Sequence, residues 1–297
     1  METKITVLTP AYNRASLLPR LYESLLKQTY ANFEWLIVDD GSTDDTRAVV
    51  EEFLEKSLFP IHYYYKENGG KHTAVNIGVK EASGELVFIA DSDDMLTREA
   101  LQTVAEEYEQ VAEDNNFCGV CGLDCDLNGK IIGSGLEREH IDANSLQLRM
   151  RYGVTGDLKE VFKTSVMREF PFPEIPGERF CPEALVWNRI ARKYKLRCFN
   201  RPIYQVEYQA SGLTSNIVRI RMQSPVASMK TYAEMLDMDV PWSQKIKAAI
   251  NYWRFQACLT AEHAREVNAA IPTVSFVWYW AKPLGLLMHW RDTKRNK

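Results

Sequence analysis

Phe88-Ile89-Ala90-Asp91-Ser92-Asp93-Asp94-Met95-Leu96 passes from an apolar strand pattern into three carboxylates within four residues. Like charges at that spacing repel, so the segment implies a positive partner. Carboxylate oxygens in an Asp-x-Asp arrangement suit a hard divalent cation, Mg2+ or Mn2+. Such an ion binds through one or two carboxylates and completes its shell with water and phosphate oxygens. A plainer reading is also open, in which Asp93 or Asp94 caps a helix beginning near Thr97.

The pattern recurs upstream. KITVLTPAY, EWLIVDD and IHYYYKE are short apolar runs, each giving way to turn or polar residues. EWLIVDD is nearly continuous, the character of a strand buried on both faces. Between these runs, SLLPRLYESLLKQ places Leu18, Leu21 or Tyr22, Leu25 and Leu26 on one helical face, with Ser16 as N-cap. DDTRAVVEEFLEK does the same with Val49, Val50, Phe53 and Leu54. KHTAVNIGVKEA reads as a helix of small residues, entered through Asn68-Gly69-Gly70, a loop that needs unusual backbone angles. Strands alternating with helices predict an α/β fold, a mainly parallel sheet flanked by helices with right-handed crossovers. Ligands of such sheets bind beyond the carboxyl ends of the strands. Asn13-Arg14, Asp39-Asp40-Gly41-Ser42 and Asp91 with Asp93 all belong there.

Two adjacent acids after a buried strand exceed what capping needs, and a carboxylate at that place can accept a hydrogen bond from a nucleobase N–H. Lys71 and Asn76 lie on the small-residue helix, where an amine near the start can face a phosphate. Taken alone, Lys71 is equally well read as solvated. Together, TPAYNR, Gln28-Thr29-Tyr30, FEWLIVDDGSTDDT, ENGGKHTAVNIGVKEASGE and FIADSDD resemble the amino-terminal half of the family 2 glycosyltransferases, which have the GT-A (nucleotide-diphospho-sugar transferase) fold. The resemblance runs in order from Ile5 to Leu96, weakens after it and is slight beyond Ser215.

What the resemblance implies is an inverting, metal-dependent, non-processive transferase. It would move a hexosyl or N-acetylhexosaminyl group from a nucleotide-diphosphate sugar, most often UDP-linked, to a glycan or lipid-linked acceptor in bacterial polysaccharide synthesis. By motif position, Pro10, Tyr12, Asn13 and Arg14 would lie at the nucleoside and Asp39 at the base edge. Lys71 and Asn76 would lie near the nucleotide, Asp91 near the ribose and metal, and Asp93 would be the principal ligand of Mn2+ or Mg2+. Inversion by direct displacement needs a base on the acceptor side. The family pattern places a paired acid at a helix start in the region of GERFCPEALVWNR, where this chain has Pro182-Glu183. Glu183 is the first candidate and Glu178 the second, although a first-turn Glu also answers the helix dipole. Asp157 is a further acceptor-side candidate. Trp187 is read equally as a sugar-stacking ring and as core. Gln205, Tyr208 and Ser211-Gly212 are candidates for a loop over the donor. His72 and His140 are read as surface or hydrogen-bonded residues. NRIARKY and QVEYQASGLT lack the Gln-x-x-Arg-Trp motif of processive members. Two other classes stay open, a nucleotide-sugar-binding module without turnover and a sugar nucleotidyltransferase; the glycine-free TPAYNRASLL argues against the latter.

Downstream, TREALQTVAEEYEQVAE turns Leu101, Val104, Tyr108 and Val111 inward, LKEVFKT reads as a strand, and PEALVWNRIARKY as a helix with Ala184, Trp187, Ile190 and Ala191 on one face. Long helical stretches follow Ser215. The 297 residues, 45% hydrophobic, suffice for a large core, and a net charge of -4 speaks against nucleic acid. Six cysteines are too few for a disulfide scaffold. FCGVCGLDC, with Cys118, Cys121 and Cys125, reads as a core strand and the first arm of a hairpin turning at Asn128-Gly129. METKITVLTP enters a strand with no signal peptide, so a reducing, cytoplasmic location is expected. Residues 1–214 are expected to form the catalytic domain, 1–96 for the donor and 97–214 for the acceptor, with 215–297 as a helical C-terminal extension. The extension ends in IPTVSFVWYWAKPLGLLMHWRDTKRNK, aromatic and then basic. Pro272, Lys282 and Pro283 interrupt it, leaving no run of roughly 18 apolar residues to span a bilayer. Trp278, Tyr279, Trp280 and Trp290 suit an interface. The extension is therefore expected to contact either the inner face of the cell membrane, peripherally, or a second subunit.

Overall fold

The computed structural model describes residues 2–207 and 216–295. Its first segment alternates β1 (Ile5–Ala11), α1 (Leu18–Leu26), β2 (Phe33–Asp39), α2 (Thr46–Lys56), β3 (Ile61–Tyr65), α3 (Lys71–Glu81) and β4 (Leu86–Ile89). The four strands are parallel in the order β3-β2-β1-β4, so their carboxyl ends share one edge. β1 and β2 are buried along their whole length. Pro10 is tolerated inside β1 for a reason of register. Leu8 O accepts the Ala90 amide, which turns that side of β1 toward β4. Pro10, two residues on, faces the same side beyond the last paired residue of β4, Ile89, where no ladder donor is needed.

Local details refine the expectations. α1 starts at Leu18 with Pro19 in its first turn, and Ser16 does not cap it. The buried faces of α1 and α2 are narrower than the periodicity predicts, leaving Leu26 and Leu54 exposed. The small residues of α3 have a steric cause. A Cβ placed on Gly78 would lie 2.1 Å from Leu8 Cδ1, and Leu8 is fully buried. The backbone of α3 thus rests directly on β1, and that contact fixes where its first residue, Lys71, sits.

β5 (Met95–Leu96), α4 (Ala100–Glu109), β6 (Phe117–Cys125), β7 (His140–Ala143), α5 (Ser145–Met150), β8 (Leu158–Lys163), α6 (Thr164–Glu169), α7 (Glu183–Ala191) and β9 (Lys195–Gln205) follow. Among the described residues nine strands make one sheet, β3-β2-β1-β4-β8-β6-β9-β5, with β7 on β9. β8 runs antiparallel between β4 and β6, while β6 and β9 are parallel. Leu21, Trp35, Phe88, Val104 and Tyr108 belong to the core on one face of it. The turn at Asn128-Gly129 forms, with Gly129 at φ 79° and the Asp126 carboxylate accepting from the Asn128 and Lys130 amides. Its return arm is a single bridge between Cys125 and Ile131 rather than a second strand. Cys118, Cys121 and Cys125 are buried in β6, and all six cysteines are free. In α7 the buried residues are Leu185, Val186, Ile190 and Ala191; Ala184, expected inward, is exposed.

The remaining helices are α8 (Ile217–Gln223), α9 (Pro225–Leu236), α10 (Trp242–Gln256), α11 (Ala261–Glu266) and α12 (Lys282–Arg295), with a 3-10 helix at Phe276–Ala281. Of the long helical stretches expected after Ser215, the one that starts at Trp242 stops at Gln256. No helix among the described residues is long and apolar enough to cross a membrane. The chain divides into two compact units, Met1–Pro171 with Ile190–Glu207, and Phe172–Arg189 with Tyr208–Lys297. Met229, Leu236, Ala249, Trp253 and Phe255 are at the centre of the second.

At the amino-terminal ends of the strands, Glu34 is buried on β2. It accepts from Thr6 Oγ1 at 2.6 Å, Lys4 Nζ at 2.8 Å and the Ser83 amide at 2.8 Å. Burial alone would raise its pKa; the donors, Lys4 foremost, outweigh burial and hold it at about 2, against an ordinary 4.5. A depressed acid contributes stability that is complete above its unfolded pKa and is lost as pH falls through the folded one. Glu34→Gln is therefore expected to destabilise by roughly 3 kcal/mol at neutral pH. In urea titrations the gap between variant and wild type should close as pH falls from about 4.5 toward 2. A gap that stays constant with pH would count against this account.

Candidate functional site

The loops after β1 and β2 are sewn together. Asn13 adopts a left-handed backbone, φ 54°, which Asn tolerates better than most residues. Its Oδ1 accepts the Thr43 amide at 2.8 Å and its own amide donates to Ser42 Oγ at 2.8 Å. The Arg14 amide donates to Thr46 Oγ1 at 2.9 Å, and that of Ala15 to Asp44 Oδ2 at 3.1 Å. Tyr12 is exposed on this rim. Pro10, Tyr12, Asn13, Arg14 and Asp39 therefore meet at one edge of the sheet. Asp39 is only 1% exposed. Its Oδ1 accepts the Ser42 amide at 2.7 Å and its Oδ2 the Tyr63 hydroxyl at 2.6 Å. A base-edge contact through Asp39 would have to use its remaining lone pairs.

Asp40, adjacent in sequence, has a different task. Its Oδ1 accepts from Lys66 Nζ at 2.6 Å and the Gly69 amide at 2.8 Å; its Oδ2 accepts the Gly70 amide at 2.7 Å. Gly70, at φ 98°, is the N-cap of α3. A buried carboxylate thus folds the glycine loop and sets the start of the helix that bears Lys71 and the half-buried Asn76.

Lys71 Nζ lies 2.6 Å from Asp91 Oδ1. The Asp91 amide donates to the Tyr204 hydroxyl at 2.6 Å, and Arg14 Nε donates to Ser92 Oγ at 3.1 Å. Lys159, on β8, donates to Ile89 O at 3.0 Å, with its ammonium 3.5 Å from the centroid of the Tyr204 ring. Burial would raise the pKa of Asp91; the ammonium groups of Lys71 and Lys159, with Arg14, outweigh it and keep the carboxyl below its usual range. Asp94 accepts the Glu207 amide at 3.2 Å. Burial first, then the charges of Asp91 and Asp93, push its carboxyl up to about 7. Asp94 does not cap α4, whose N-cap residue is Glu99. Asp124, on β6, is raised to about 6 by burial and then by Asp157 and Asp91, against the pull of Lys159. Its Oδ1 has no hydrogen-bond partner among the described residues.

Two lysines answer the question posed by FIADSDD, though only in part. Asp94 and Asp124 keep raised carboxyls beside them, burial being the first cause of each and the neighbouring carboxylates adding to it. Among the described residues no three His, Cys, Asp or Glu side chains converge as a closed metal cage. Asp91 and Asp93 carry hard carboxylate oxygens, the donor type that suits a divalent cation also bound by phosphates. The residues fit such an ion. Lys159, Tyr204 and Asp124 escape the motif reading because each sits in a segment patterned as plain strand. The one cue was Asp124, a lone acid within an apolar run, which a core does not take up unpaired.

In the second unit, Glu183 is the first residue of α7 and half-buried. Glu178 has a different role from the one considered for it. Its carboxylate accepts the Val226 amide at 2.6 Å and the Ala227 amide at 2.9 Å, capping α9, with His263 Nε2 at 3.2 Å. Trp187 meets Phe172 edge-on, ring centroids 5.7 Å apart. In the first unit, His72 is buried and His140 pairs with Glu107. Gln205 ends β9; Tyr208, Ser211 and Gly212 lie outside the described residues.

A family described as "Glycosyl transferase family 2" matches residues 6–158, just over half of the chain. An uncharacterized glycosyltransferase of Rickettsia felis is 38% identical over 116 residues, 39% of this chain but 18% of that protein. The GalNAc(5)-diNAcBac-PP-undecaprenol beta-1,3-glucosyltransferase of Campylobacter jejuni is 28% identical over 291 residues, 90% of each chain. The crystal structure of S. aureus TarS 1–349 in complex with UDP-GlcNAc superposes with a TM-score of 0.63 at 19% identity, over 96% of this chain and 89% of that one. At that identity the likeness shows the fold.

Asp40→Asn removes the charge and half of the acceptor capacity that holds the glycine loop. A loss of about 2–4 kcal/mol in stability is expected, with faster hydrogen exchange at the Gly69 and Gly70 amides. Unaltered exchange at both would refute the anchoring role of Asp40.

Proposed function

The chain belongs to glycosyl transferase family 2 and has the GT-A fold, and from that premise we propose that it moves a sugar from a nucleotide-diphosphate donor, UDP-linked, to a glycan or lipid-linked acceptor. Transfer is a single inverting displacement without processivity, in the synthesis of a bacterial surface polysaccharide. The observation that carries this reading is the meeting of Asp91, Lys71 and Lys159 beside Asp93 at the carboxyl ends of parallel strands. That is where an α/β sheet binds its ligands. The Campylobacter relative, matched over most of both chains, is named for a polyprenyl-diphosphate-linked acceptor. The TarS complex supports UDP as the carrier. Within this reading residues 1–96 hold the donor and 97–214 shape the acceptor side.

Pro10, Tyr12, Asn13 and Arg14 border the nucleoside, and Asp39 turns its free lone pairs to the base. Lys71 and Asn76 face the diphosphate, where Lys71 opposes the charge that grows as the leaving group departs. Asp93, with Asp91, would hold Mn2+ or Mg2+, which supplies further neutralisation of the diphosphate. Glu183 takes the proton of the acceptor hydroxyl as its oxygen bonds to the anomeric carbon and the bond to the diphosphate oxygen breaks. Six cysteines without a disulfide suit a reducing, cytoplasmic setting. A lipid-linked acceptor would bring the enzyme to the inner membrane face, with the C-terminal helices as the contact.

Asp93→Asn is expected to lower kcat by roughly 100-fold or more with the fold intact. Glu183→Gln should cost roughly 100- to 10,000-fold in transfer while donor affinity is kept. The assay is transfer from UDP-sugars with Mn2+ or Mg2+, beside thermal shift for donor binding. Full transfer activity in Glu183→Gln removes it as the base. Donor binding with no turnover under any acceptor would point to a binding module instead.

A further inference from the structure

The second unit presents an apolar surface with a basic border. Phe276 is 86% exposed, and Tyr279, Trp280, Leu284, Leu287 and Trp290 are each about half exposed. These side chains do not belong to a loose tail. The Trp253 indole of α10 donates to Trp278 O at 3.0 Å, which seats the 3-10 helix. α12 packs on α10 through Gly285, where a Cβ would lie 2.5 Å from Trp253 Cβ. Arg254 holds Asp292 at 2.5 Å, and Cys258 meets His289 at 3.3 Å. Gly285, His289 and Asp292 therefore form the inner face of α12, and Leu284, Leu287, Trp290 and Arg291 the outer one. The acid of this helix, Asp292, is half-buried and held in an ion pair with Arg254, whereas Lys282, Arg291, Lys294 and Arg295 are exposed. The Lys294 ammonium stands 3.8 Å from the Trp290 ring centroid. The exposed charge of the face is thus wholly positive.

We infer that the outer face of α12 and the 3-10 helix docks on an anionic lipid bilayer, with aromatic and leucine side chains entering the headgroup boundary and the basic residues meeting lipid phosphates. Tryptophan and tyrosine favour that boundary because each joins an apolar body to a polar handle. Each Lys or Arg near an anionic surface adds attraction that salt screens. A second copy of this chain would set this all-positive border against itself, which disfavours a self-dimer through this face. No helix among the described residues can span the bilayer, so the contact lies in the plane of the interface.

This inference deepens the membrane contact proposed above and rests on that setting, but it is read by adsorption and not by sugar transfer, so each can fail alone. The full chain is sedimented with phosphatidylglycerol-containing vesicles and with pure phosphatidylcholine vesicles, at low and at raised salt. Pelleting is expected with the former, weakened by salt. Arg291→Glu with Lys294→Glu should lower partitioning roughly tenfold or more. Trp280→Ser with Leu287→Ser should lower it as well, with an unchanged circular-dichroism spectrum and unchanged transfer to a water-soluble acceptor. Equal pelleting with both vesicle types, or none with either, overturns the inference. So does a dimer in sedimentation velocity that Leu287→Ser disperses, which would assign the face to a second copy.

Discussion

Asp91, Asp93, Asp94 and Asp124 crowd one end of the sheet, and the structure depends on how their mutual repulsion is contained. Two unit charges a few ångströms apart interact by several kcal/mol near a protein surface, so the arrangement needs cations placed accurately. Lys71 arrives from α3 and Lys159 from β8, two elements far apart in sequence. Neither position is independent. Lys71 stands where Asp40 folds the glycine loop and where Gly78 lets α3 lie against Leu8. Lys159 stands where an antiparallel strand is inserted beside β4. The chemistry at the strand tips thus rests on packing some distance from it.

That dependence explains how much of the protein could be read before its structure. The parallel strands were legible because near-continuous apolar runs ending in turn residues have few other solutions. The rim was legible because its polar groups follow those runs at once. Lys159, Tyr204 and Asp124 were not, since their roles come from strand pairings between distant segments, β4 with β8 and β6 with both β8 and β9. Local periodicity carries no information about such partners. Glu178 and Glu183 present the same difficulty. Both are acids near a helix start, and only the position of the Val226 and Ala227 amides distinguishes a cap for a distant helix from a carboxylate without that duty. The breadth of helix faces was overestimated at Leu26 and Leu54 for a simpler reason. Periodicity marks which residues could face inward, while the curvature of the neighbouring surface decides how many do.

Asp39 and Asp40 make a compact case. They are neighbours of one residue type, both buried, and successive side chains of an extended chain leave on opposite sides. One ties the turn to Tyr63, and the other ties β2 to the glycine loop. A dipeptide that looks like a doubled site acid is a division of labour.

The grip of Asp40 on the two glycine amides also bears on how the edge can receive anything negative. Successive main-chain N–H groups in such a bend commonly form a concave nest for an anion. Here a resident carboxylate already fills that nest. An anion arriving at this edge therefore finds the glycine amides of this loop closed to it and meets the ammonium groups of Lys71 and Lys159 instead. Electroneutrality at this edge is consequently in the hands of side chains, which substitution can retune, rather than of the main chain, which it cannot.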